Sequence, residues 1–233
     1  MRQLLPFFSP NCRALVIGDT GSIGSALRDL LNTLIGPSRV NGISRSRDGL
    51  DLMKPQTIPM VASKQSGSFR LIIDATGALE IAGKEPEKSI SSMEYDNMAR
   101  HFEVNAIGPA MLIKYFHKFL PREGKAIFVT LSARLGSTTD NTLGGWISYR
   151  ASKAALNQIV KTASIEIARK SPNVICLAMH PGTVKSKLTR KYVSNYPHVM
   201  PEQAALNIIK VLSDMKFNKS GGFFDYNGKS IPW

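Results

Sequence analysis

Residues 13–31, RALVIGDTGSIGSALRDLL, decide the fold of this chain. The stretch opens with a short apolar run rich in β-branched residues, which is typical of a buried parallel strand. A turn with three glycines follows, and then apolar residues recur at helical spacing. A strand, a glycine-rich turn and a helix in this order place backbone N–H groups and a helix N-terminus against a pyrophosphate. The stretch therefore predicts a dinucleotide-binding turn at residues 18–24.

The alternation of strand and helix continues to the end of the chain. Helical patterns separate most of the strand-like runs, and no break in composition marks a domain boundary. We predict an α/β fold, with a single Rossmann-type, doubly wound parallel sheet of about seven strands and helices on both faces. Residues 1–233 are expected to form one dinucleotide-binding domain. The further strand-like runs are residues 40–44, 49–52, 69–74, 125–131, 173–179 and 221–226.

The charge balance is strongly basic, with 30 Lys and Arg against 17 Asp and Glu and a net charge of +13. This balance favours a polyanionic partner or a phosphate-rich cofactor. The cations are scattered and no aromatic–basic motif is visible, so nucleic-acid binding is not expected as the main role. No apolar run approaches the roughly 20 residues that span a bilayer. Residues 1–10 are too short for a secretory signal, and we expect a cytoplasmic protein in which Cys12 and Cys176 are buried free thiols.

The stretch SYRASK at residues 148–153 carries the candidate chemistry. Tyr149 and Lys153 are four residues apart, so on a helix their side chains share one face. A nearby ammonium favours the phenolate and is expected to lower the tyrosine pKa from about 10. Tyr149 is thus a candidate general acid/base. The alternative is a surface Tyr and Lys one turn apart, which is common.

The second predicted strand ends at Ser44 and is followed directly by Arg45. An acid at this position binds the 2′-hydroxyl of NAD, whereas an Arg accommodates the 2′-phosphate of NADP. The basic residue predicts NADP(H) over NAD(H), with solvated loop cations as the alternative. Asp19, an acid inside the glycine turn, argues mildly against a nearby phosphate.

Two other polar residues stand at positions that suggest a role. Ser132 ends a predicted strand, at the edge where open α/β sheets bind ligands. Asn105 lies in a predicted helix over 93–120 that Gly108 and the following proline should interrupt. An Asn on an apolar helix face needs a partner. Ser91 or Ser92 is the predicted N-cap of that helix, and the basic segment 185–196 is interpreted as a flap.

With these motifs in order, the chain resembles the short-chain dehydrogenase/reductase family over nearly its whole length. Within the family it looks most like the branch of C-factor-like reductases. The glycine turn matches the family's first motif, although Ser22 stands where the family usually has a glycine. Asp74 and Ala75 likewise replace two asparagines. The residues that match the family's catalytic tetrad are Asn105, Ser132, Tyr149 and Lys153.

The resemblance implies reversible hydride transfer between NADP(H) and a small carbonyl or alcohol substrate. Tyr149 would donate the proton, Lys153 would hold the nicotinamide ribose, Ser132 would position the substrate oxygen, and Asn105 would hold a water. It also implies a homodimer or homotetramer, and no metal site is expected. The cofactor-binding residues implied in this way are Gly18, Thr20, Gly21, Ser22, Ile23, Gly24, Ser44, Arg45, Asp51, Leu52, Ala75, Thr76, Gly77, Tyr149, Lys153, Pro181, Gly182, Val184 and Ser186.

Two alternatives come from other functional classes. One is a dinucleotide-binding sensor or signalling protein with little catalysis, against which the intact set of Ser132, Tyr149 and Lys153 argues. The other is a basic nucleic-acid-binding protein on the same fold. Salt-dependent retention on DNA or RNA would be its signature.

Overall fold

The computed structural model describes residues 12–186, 188–191 and 197–233. Within these residues, six strands form one sheet in the order β2-β1-β3-β4-β5-β6, and every neighbouring pair is parallel. The predicted fold class is confirmed, with one strand fewer than predicted. The strands are β1 (Ala14–Ile17), β2 (Val40–Ile43), β3 (Leu71–Asp74), β4 (Ala126–Leu131), β5 (Val174–His180) and β6 (Phe223–Asp225).

The strand predicted at 49–52 is wrong. Ser44 instead caps a short helix, and its Oγ accepts a hydrogen bond from the backbone N–H of Arg47 (3.3 Å). The helix ends at Gly49, whose φ of +77° lies in the left-handed region. This turn breaks the extended backbone before residues 50–52 could pair with the sheet.

Helices cover both faces of the sheet. Helices α1 and α7 pack on one face, whereas α3, α5 and α6 pack on the other, each around its own cluster of buried apolar side chains. Because neither face meets water, the strands are apolar at almost every position rather than alternating. The helices are α1 (Ser22–Ile35), α2 (Arg45–Asp48), α3 (Thr57–Ser63), α4 (Tyr95–Phe102), α5 (Gly108–Phe116), α6 (Ile147–Lys170) and α7 (Pro201–Asp214).

The predicted helix over 93–120 consists of two helices separated by an irregular turn. Residues Glu103–Ile107 form one π-helical turn between α4 and α5. The interruption expected at Gly108 is therefore present, although the irregular backbone lies just before it. Isolated π-turns of this kind occur frequently at functional sites. Asn105 lies in the middle of the turn.

The N-cap predicted for α4 is also wrong. The helix begins after Glu94, which makes no side-chain capping bond. Ser89 instead caps a separate 3₁₀ turn at Ile90–Ser92, and Ser92 returns the bond in a capping box. These serines therefore cap the 3₁₀ turn that precedes α4, and not α4 itself as the sequence predicted.

The order of strands creates a switch point between β1 and β3. The chain passes from β1 outward to β2 and then crosses to β3 on the other side of β1. Ile17 and Asp74, the last residues of β1 and β3, are register partners. The turns that follow these two strands therefore diverge above the same point, which is where open parallel sheets bind ligands.

Both cysteines are buried free thiols, as predicted. Burial raises the pKa of Cys12 to about 11 and that of Cys176 to about 12, so neither is a reactive thiolate at neutral pH. No helix among the described residues is long and apolar enough to cross a membrane.

Candidate active site

A cavity of about 1390 Å³ lies at the carboxyl edge of the sheet, over the switch point. It exceeds the roughly 300–1,000 Å³ of a pocket for one small ligand, so it has room for a dinucleotide and a substrate. The cavity brings together the candidate cofactor turn and the candidate catalytic side chains. The predicted site residues that line it are Thr20, Gly21, Ser22, Ile23, Ala75, Thr76, Gly77, Ser132, Tyr149, Lys153, Pro181, Gly182, Val184 and Ser186.

The glycine turn presents a free helix N-terminus to this cavity. Helix α1 starts at Ser22, and its N-cap residue, Gly21, makes no side-chain capping bond. Thr20, Gly21, Ser22 and Ile23 line the cavity at this end. Uncapped N–H groups at the positive end of a helix dipole attract an anion. The residues present therefore fit the pyrophosphate of a nicotinamide dinucleotide.

Gly18 and Gly24 do not line the cavity but allow the turn to pack tightly. A Cβ added at Gly24 would overlap the carbonyl oxygen of Gly18. Gly18 itself has a φ of +88°, and a Cβ there would lie 3.0 Å from the carbonyl carbon of Ala75. In this structure, both glycines are required for packing between backbone segments.

Asp19 is buried beneath the turn and is neutralised by two arginines. Its carboxylate accepts hydrogen bonds from Arg28 Nη1 (3.0 Å) and from Nη1 and Nη2 of Arg47 (3.1 Å each). Arg47 Nη2 also donates to the carbonyl oxygen of Gly42 (2.6 Å). Arg45 and Arg47 are both exposed, but of these two it is Arg47 that bonds to Asp19. The guanidinium fixed at the ends of β1 and β2 is thus that of Arg47.

Three other predicted cofactor residues lie outside the cavity lining. Ser44 is occupied by capping α2, as described above, and Asp51 Oδ1 accepts a hydrogen bond from the N–H of Met53 (3.1 Å). Leu52 packs against the start of α5, where a Cβ added at Gly108 would lie 2.8 Å from its side chain. These three residues shape the loop after β2, and their contacts with a cofactor stay predictions.

Helix α6 carries Tyr149 and Lys153 side by side into the cavity wall. Both side chains are nearly buried, and Lys153 Nζ donates to the carbonyl oxygen of Leu131 (3.1 Å). The ammonium lies 6.0 Å from the centroid of the Tyr149 ring. The pairing predicted from their spacing is therefore present.

The predicted pKa effect of this pair is wrong. Burial raises the pKa of Tyr149 above its ordinary value and lowers the pKa of Lys153 to about 8, against the pull of Asp74. The cost of burying a phenolate thus outweighs any attraction between that phenolate and the neighbouring ammonium. Tyr149 therefore stays protonated at neutral pH.

Ser132 is oriented by a residue that the sequence analysis missed. Its Oγ donates to Asn157 Oδ1 (2.7 Å), and its backbone N–H donates to the carbonyl oxygen of Met179 (2.7 Å). Asn157 follows Lys153 by one helical turn and is itself buried. Its four-residue spacing from Lys153 was the only signal, since i and i+4 share a helix face.

Asp74 is the last residue of β3, and only one of its two carboxylate oxygens makes hydrogen bonds with the described residues. Oδ1 accepts from the N–H and the Oγ1 of Thr76 (3.0 and 2.5 Å), whereas Oδ2 is buried with no hydrogen-bond partner among the described residues. Burial raises the pKa of Asp74 to about 6, and the bonds from Thr76 and the charge of Lys153 partly oppose this rise.

Asn105 lies behind the cavity wall. Its Oδ1 accepts from the N–H of Ala78 (2.9 Å) and its Nδ2 donates to the carbonyl oxygen of the same residue (2.9 Å). A Cβ added at Gly77 would lie 3.2 Å from Asn105 Oδ1 and 3.3 Å from Lys153 Nζ. The partner that the sequence required for Asn105 is thus the backbone of the turn after β3.

The start of α6 is fixed by Glu87, a second residue that the sequence did not single out. The Glu87 carboxylate accepts from the backbone N–H of Ser148 (3.2 Å), from the Ser148 hydroxyl and from Asn97 Nδ2 (3.1 Å). Its carbonyl oxygen accepts from the N–H of Trp146 (2.5 Å). Glu87 thus secures the residue directly before Tyr149.

Trp146 contacts Tyr149 from the cavity side. The two ring centroids are 6.4 Å apart in an edge-to-face arrangement, and Trp146 holds a left-handed φ of +52°. A left-handed conformation is strained for a bulky residue, and such strain tends to cluster at functional sites. The left-handed conformation of Trp146 had no signal in the sequence.

The segment after β5 closes one side of the cavity through Val184 and Ser186. Within the predicted flap, Lys187 and residues 192–196 lie outside the described residues. Lys191 Nζ donates to Glu80 (2.8 Å) and to Glu85 (2.7 Å), which ties this segment to the loop after β3.

The arrangement of the chain agrees with a comparison against families of known proteins. Residues 56–197 match the model of the short chain dehydrogenase family. This chain belongs to that family. Membership makes it an oxidoreductase that uses a nicotinamide dinucleotide, as the sequence predicted.

Curated relatives extend the match. The chain is 31% identical over 185 residues, 79% of each protein, to 1-hydroxy-2-glutathionyl-2-methyl-3-butene dehydrogenase of Rhodococcus sp. (strain AD45). It is 28% identical to C-signal of Myxococcus xanthus over 62% of this chain and 84% of that protein. The second match agrees with the resemblance to the C-factor-like branch.

Solved structures share the fold of this dehydrogenase. An NADPH-bound carbonyl reductase from chicken fatty liver superposes with a TM-score of 0.82 at 22% identity, covering 96% of both chains. The carbonyl reductase Sniffer of D. melanogaster gives a TM-score of 0.80 at 21% identity, covering 95% of this chain and 99% of its own. At this identity the likeness establishes the fold alone.

Proposed function

We propose that this dehydrogenase is an NADP(H)-dependent carbonyl reductase in which Tyr149 is the general acid/base. The observation that carries the proposal is that Ser132, Tyr149 and Lys153 share one cavity with the uncapped N-terminus of α1. A nicotinamide bound along this cavity supplies a hydride to a carbonyl carbon. The chain itself then has to hold the carbonyl oxygen and protonate it.

Tyr149 supplies that proton. Its raised pKa keeps it protonated, and the oxygen that develops negative charge during hydride transfer is the base that receives the proton. Lys153, with a pKa of about 8, is charged at neutral pH and stabilises the phenolate that remains. The buried ammonium next to Gly77 would also hold the nicotinamide ribose of the cofactor.

Ser132 positions the substrate oxygen. In the structure its proton is directed to Asn157, so its lone pairs are available to an alcohol that donates a hydrogen bond. To serve a carbonyl, the hydroxyl rotates its proton from Asn157 to the substrate oxygen. Ser132 thus accepts from the alcohol in one direction and donates to the carbonyl in the other.

The preference for NADP(H) rests on Arg47 and Arg28. Asp19 pairs with both guanidiniums, Asp29 also pairs with Arg28 and Asp48 also pairs with Arg47, so the proposal rests on the fixed placement of these guanidiniums beside the glycine turn and not on an excess of positive charge. Planar guanidiniums held in place match a phosphate well. This reading replaces Arg45 with Arg47 as the residue that faces the 2′-phosphate. The carbonyl reductase from chicken fatty liver, which shares this fold, was solved with NADPH bound, and this supports the proposed preference for NADP(H).

The first test is oxidation of NADPH with a panel of aldehydes, ketones and quinones, with NADH in parallel. We expect turnover with NADPH, and we expect Tyr149→Phe to lower kcat/KM by about 10²–10⁴-fold while the affinity for NADPH changes little. Tyr115→Phe, which removes a hydroxyl from a tyrosine outside the cavity lining, is the matched control and should retain most activity. Tight NADPH binding without turnover on any carbonyl would favour the sensor alternative.

We also propose that copies of the chain associate through the faces of α4 and α6. Tyr95 and Ile165 lie exposed on these helices, as does Ile107 in the π-turn between α4 and α5. Light scattering on the full chain is expected to give at least a dimer. A monomer at micromolar concentration would refute this proposal.

A further inference from the structure

Helix α4 and the π-helical turn that follows it carry a row of buried polar side chains near the helix that bears Tyr149. Asn97, His101 and Asn105 follow one another at intervals of four residues, and all three are buried. Residues at this spacing share a helix face. His101 is the central member, and neither the spacing of motifs nor the family resemblance gives it a role.

The hydrogen bonds of Asn105 determine the state of the His101 ring. The backbone N–H of Ala78 can only donate, so the Asn105 amide atom that faces it is Oδ1 (2.9 Å). Nδ2 therefore points to the carbonyl oxygen of Ala78 (2.9 Å) and to His101 Nδ1 (3.3 Å). Since Nδ2 only donates, His101 Nδ1 is an acceptor, and a neutral imidazole carries its proton on Nε2.

The surroundings keep this imidazole neutral. Burial lowers the pKa of His101, and the negative charge of Glu87 only partly opposes that shift. A protonated ring would also place an Nδ1–H against the Nδ2 hydrogens of Asn105. The ionisable side chains around this face are Glu87 from the loop before α4, Tyr149 and Lys153 from α6, and Asp74 at the end of β3.

The same ring also contacts Tyr149. Its centroid lies 6.1 Å from that of the Tyr149 ring, edge to face. His101 Nε2 is buried and has no hydrogen-bond partner among the described residues. Burying an unpaired N–H costs free energy, so a ring kept for packing alone would be better replaced by an apolar side chain.

We propose that His101 is a positioning residue of the active site. By accepting from Asn105 Nδ2, it uses the last free donor of that amide, so that only an acceptor lone pair of Oδ1 remains, close to Gly77, which Lys153 Nζ also approaches. The His101 ring also packs edge to face against the Tyr149 ring and thereby restricts the position of the Tyr149 side chain. One neutral imidazole thus connects two members of the proposed catalytic set, and the inference rests on the proposed function for its kinetic consequences.

Two substitutions separate positioning from packing. In His101→Asn the amide oxygen can stand near the position of Nδ1 and accept from Asn105, but it leaves a cavity beside Tyr149. His101→Leu fills the space and offers no acceptor. We expect His101→Leu to lower kcat about tenfold with KM for NADPH unchanged, and His101→Asn to recover most of that loss. If the leucine variant is the more active of the two, the role of His101 is packing and the proposal fails.

The protonation state and tautomer of the His101 ring can be measured without an activity assay. Two-bond ¹H–¹⁵N spectra of the full chain labelled at histidine distinguish the tautomers, with His101→Asn to assign the signal. We expect a neutral ring protonated on Nε2 at pH 7. A ring protonated on Nδ1, or on both nitrogens, would overturn the proposal. If the wild type does not oxidise NADPH, the proposed function fails, whereas the spectra still decide the state of His101.

Discussion

At the scale of the residue, this site depends on a buried carboxylate that is paired with two arginines reaching it from the surface. Asp19 is fully buried, and its partners Arg28 and Arg47 follow it by 9 and 28 residues. A buried carboxylate without partners would destabilise the fold, so the two guanidiniums stabilise the turn as well as attract phosphate. The same acid that argued against NADP in the sequence holds the candidate phosphate-binding side chain in place.

Replacement of Arg47 and of Arg45 by Gln distinguishes these two candidates. We expect Arg47→Gln to raise KM for NADPH about tenfold or more, because a charge-assisted hydrogen bond to phosphate contributes about 1.5–3 kcal/mol. KM for NADH should change little, since NADH has no 2′-phosphate. The measurement is initial-rate kinetics with both cofactors, together with thermal unfolding to show that the variant is folded.

Arg45→Gln is the matched control, because Arg45 is exposed two residues earlier in the same short helix. It should leave KM for NADPH within about twofold of the wild type. If Arg45→Gln raises KM for NADPH more than Arg47→Gln does, the 2′-phosphate is bound by Arg45, as the sequence first indicated.

At the scale of the element, packing of α1 against its own turn overrides helix propensity. Gly24 lies inside the first turn of α1, where Ala would ordinarily be more favourable by about 1 kcal/mol. Here a Cβ would overlap the carbonyl oxygen of Gly18, which is backbone and cannot rotate away. The helix would have to shift outward from β1.

Gly24→Ala is therefore expected to destabilise the protein, by about 1–3 kcal/mol. The free energy of unfolding in urea measures this change. Ser25→Ala, one residue later in the same turn, is the control and should be nearly neutral. If Gly24→Ala stabilises the protein, the gain in helix propensity outweighs the overlap between the added Cβ and the Gly18 carbonyl oxygen, and α1 can move.

The elements that the sequence predicted well are those with a local signal. Apolar runs, β-branched in five cases and aromatic in β6, located all six described strands, because strands buried on both faces need apolar residues at nearly every position. The spacing of Tyr149 and Lys153 likewise placed them on one helix. The false strand at 49–52 failed because Gly49 adopts a left-handed turn, and short apolar runs do not reveal that conformation.

The parts that could not be predicted depend on partners far apart in the chain. Glu87 acts on Ser148 across 61 residues, and Ser132 is oriented by Asn157 across 25. The raised pKa of Tyr149 was missed for a related reason, since burial depends on the whole fold and outweighs the local ammonium. Motif spacing therefore located the candidate catalytic side chains but not the contacts that hold them.

At the scale of the whole molecule, the buried pair of Asp74 and Lys153 links the active site to stability. The pKa of Asp74 rises from 3.8 to about 6 on folding. Between these two values the folded protein binds more protons than the unfolded chain, so its stability falls as the pH rises from about 4 to 6. Above pH 6 the full cost of burying the carboxylate is present.

Asp74→Asn removes that cost and keeps an acceptor for Thr76. We expect the variant to be more stable than the wild type at pH 7, by about 1–3 kcal/mol, because a shift of one pKa unit corresponds to about 1.4 kcal/mol and because Lys153 loses a favourable partner. The difference should shrink as the pH falls and should vanish below about pH 3, where Asp74 is protonated in both states. Urea unfolding at a series of pH values measures it, with the exposed Asp29→Asn as a control that should show no such trend.

A difference that stays constant from pH 4 to 7 would rule out ionisation of Asp74 as its cause. A wild type that is the more stable at pH 7 would show instead that its attraction for Lys153 outweighs its burial.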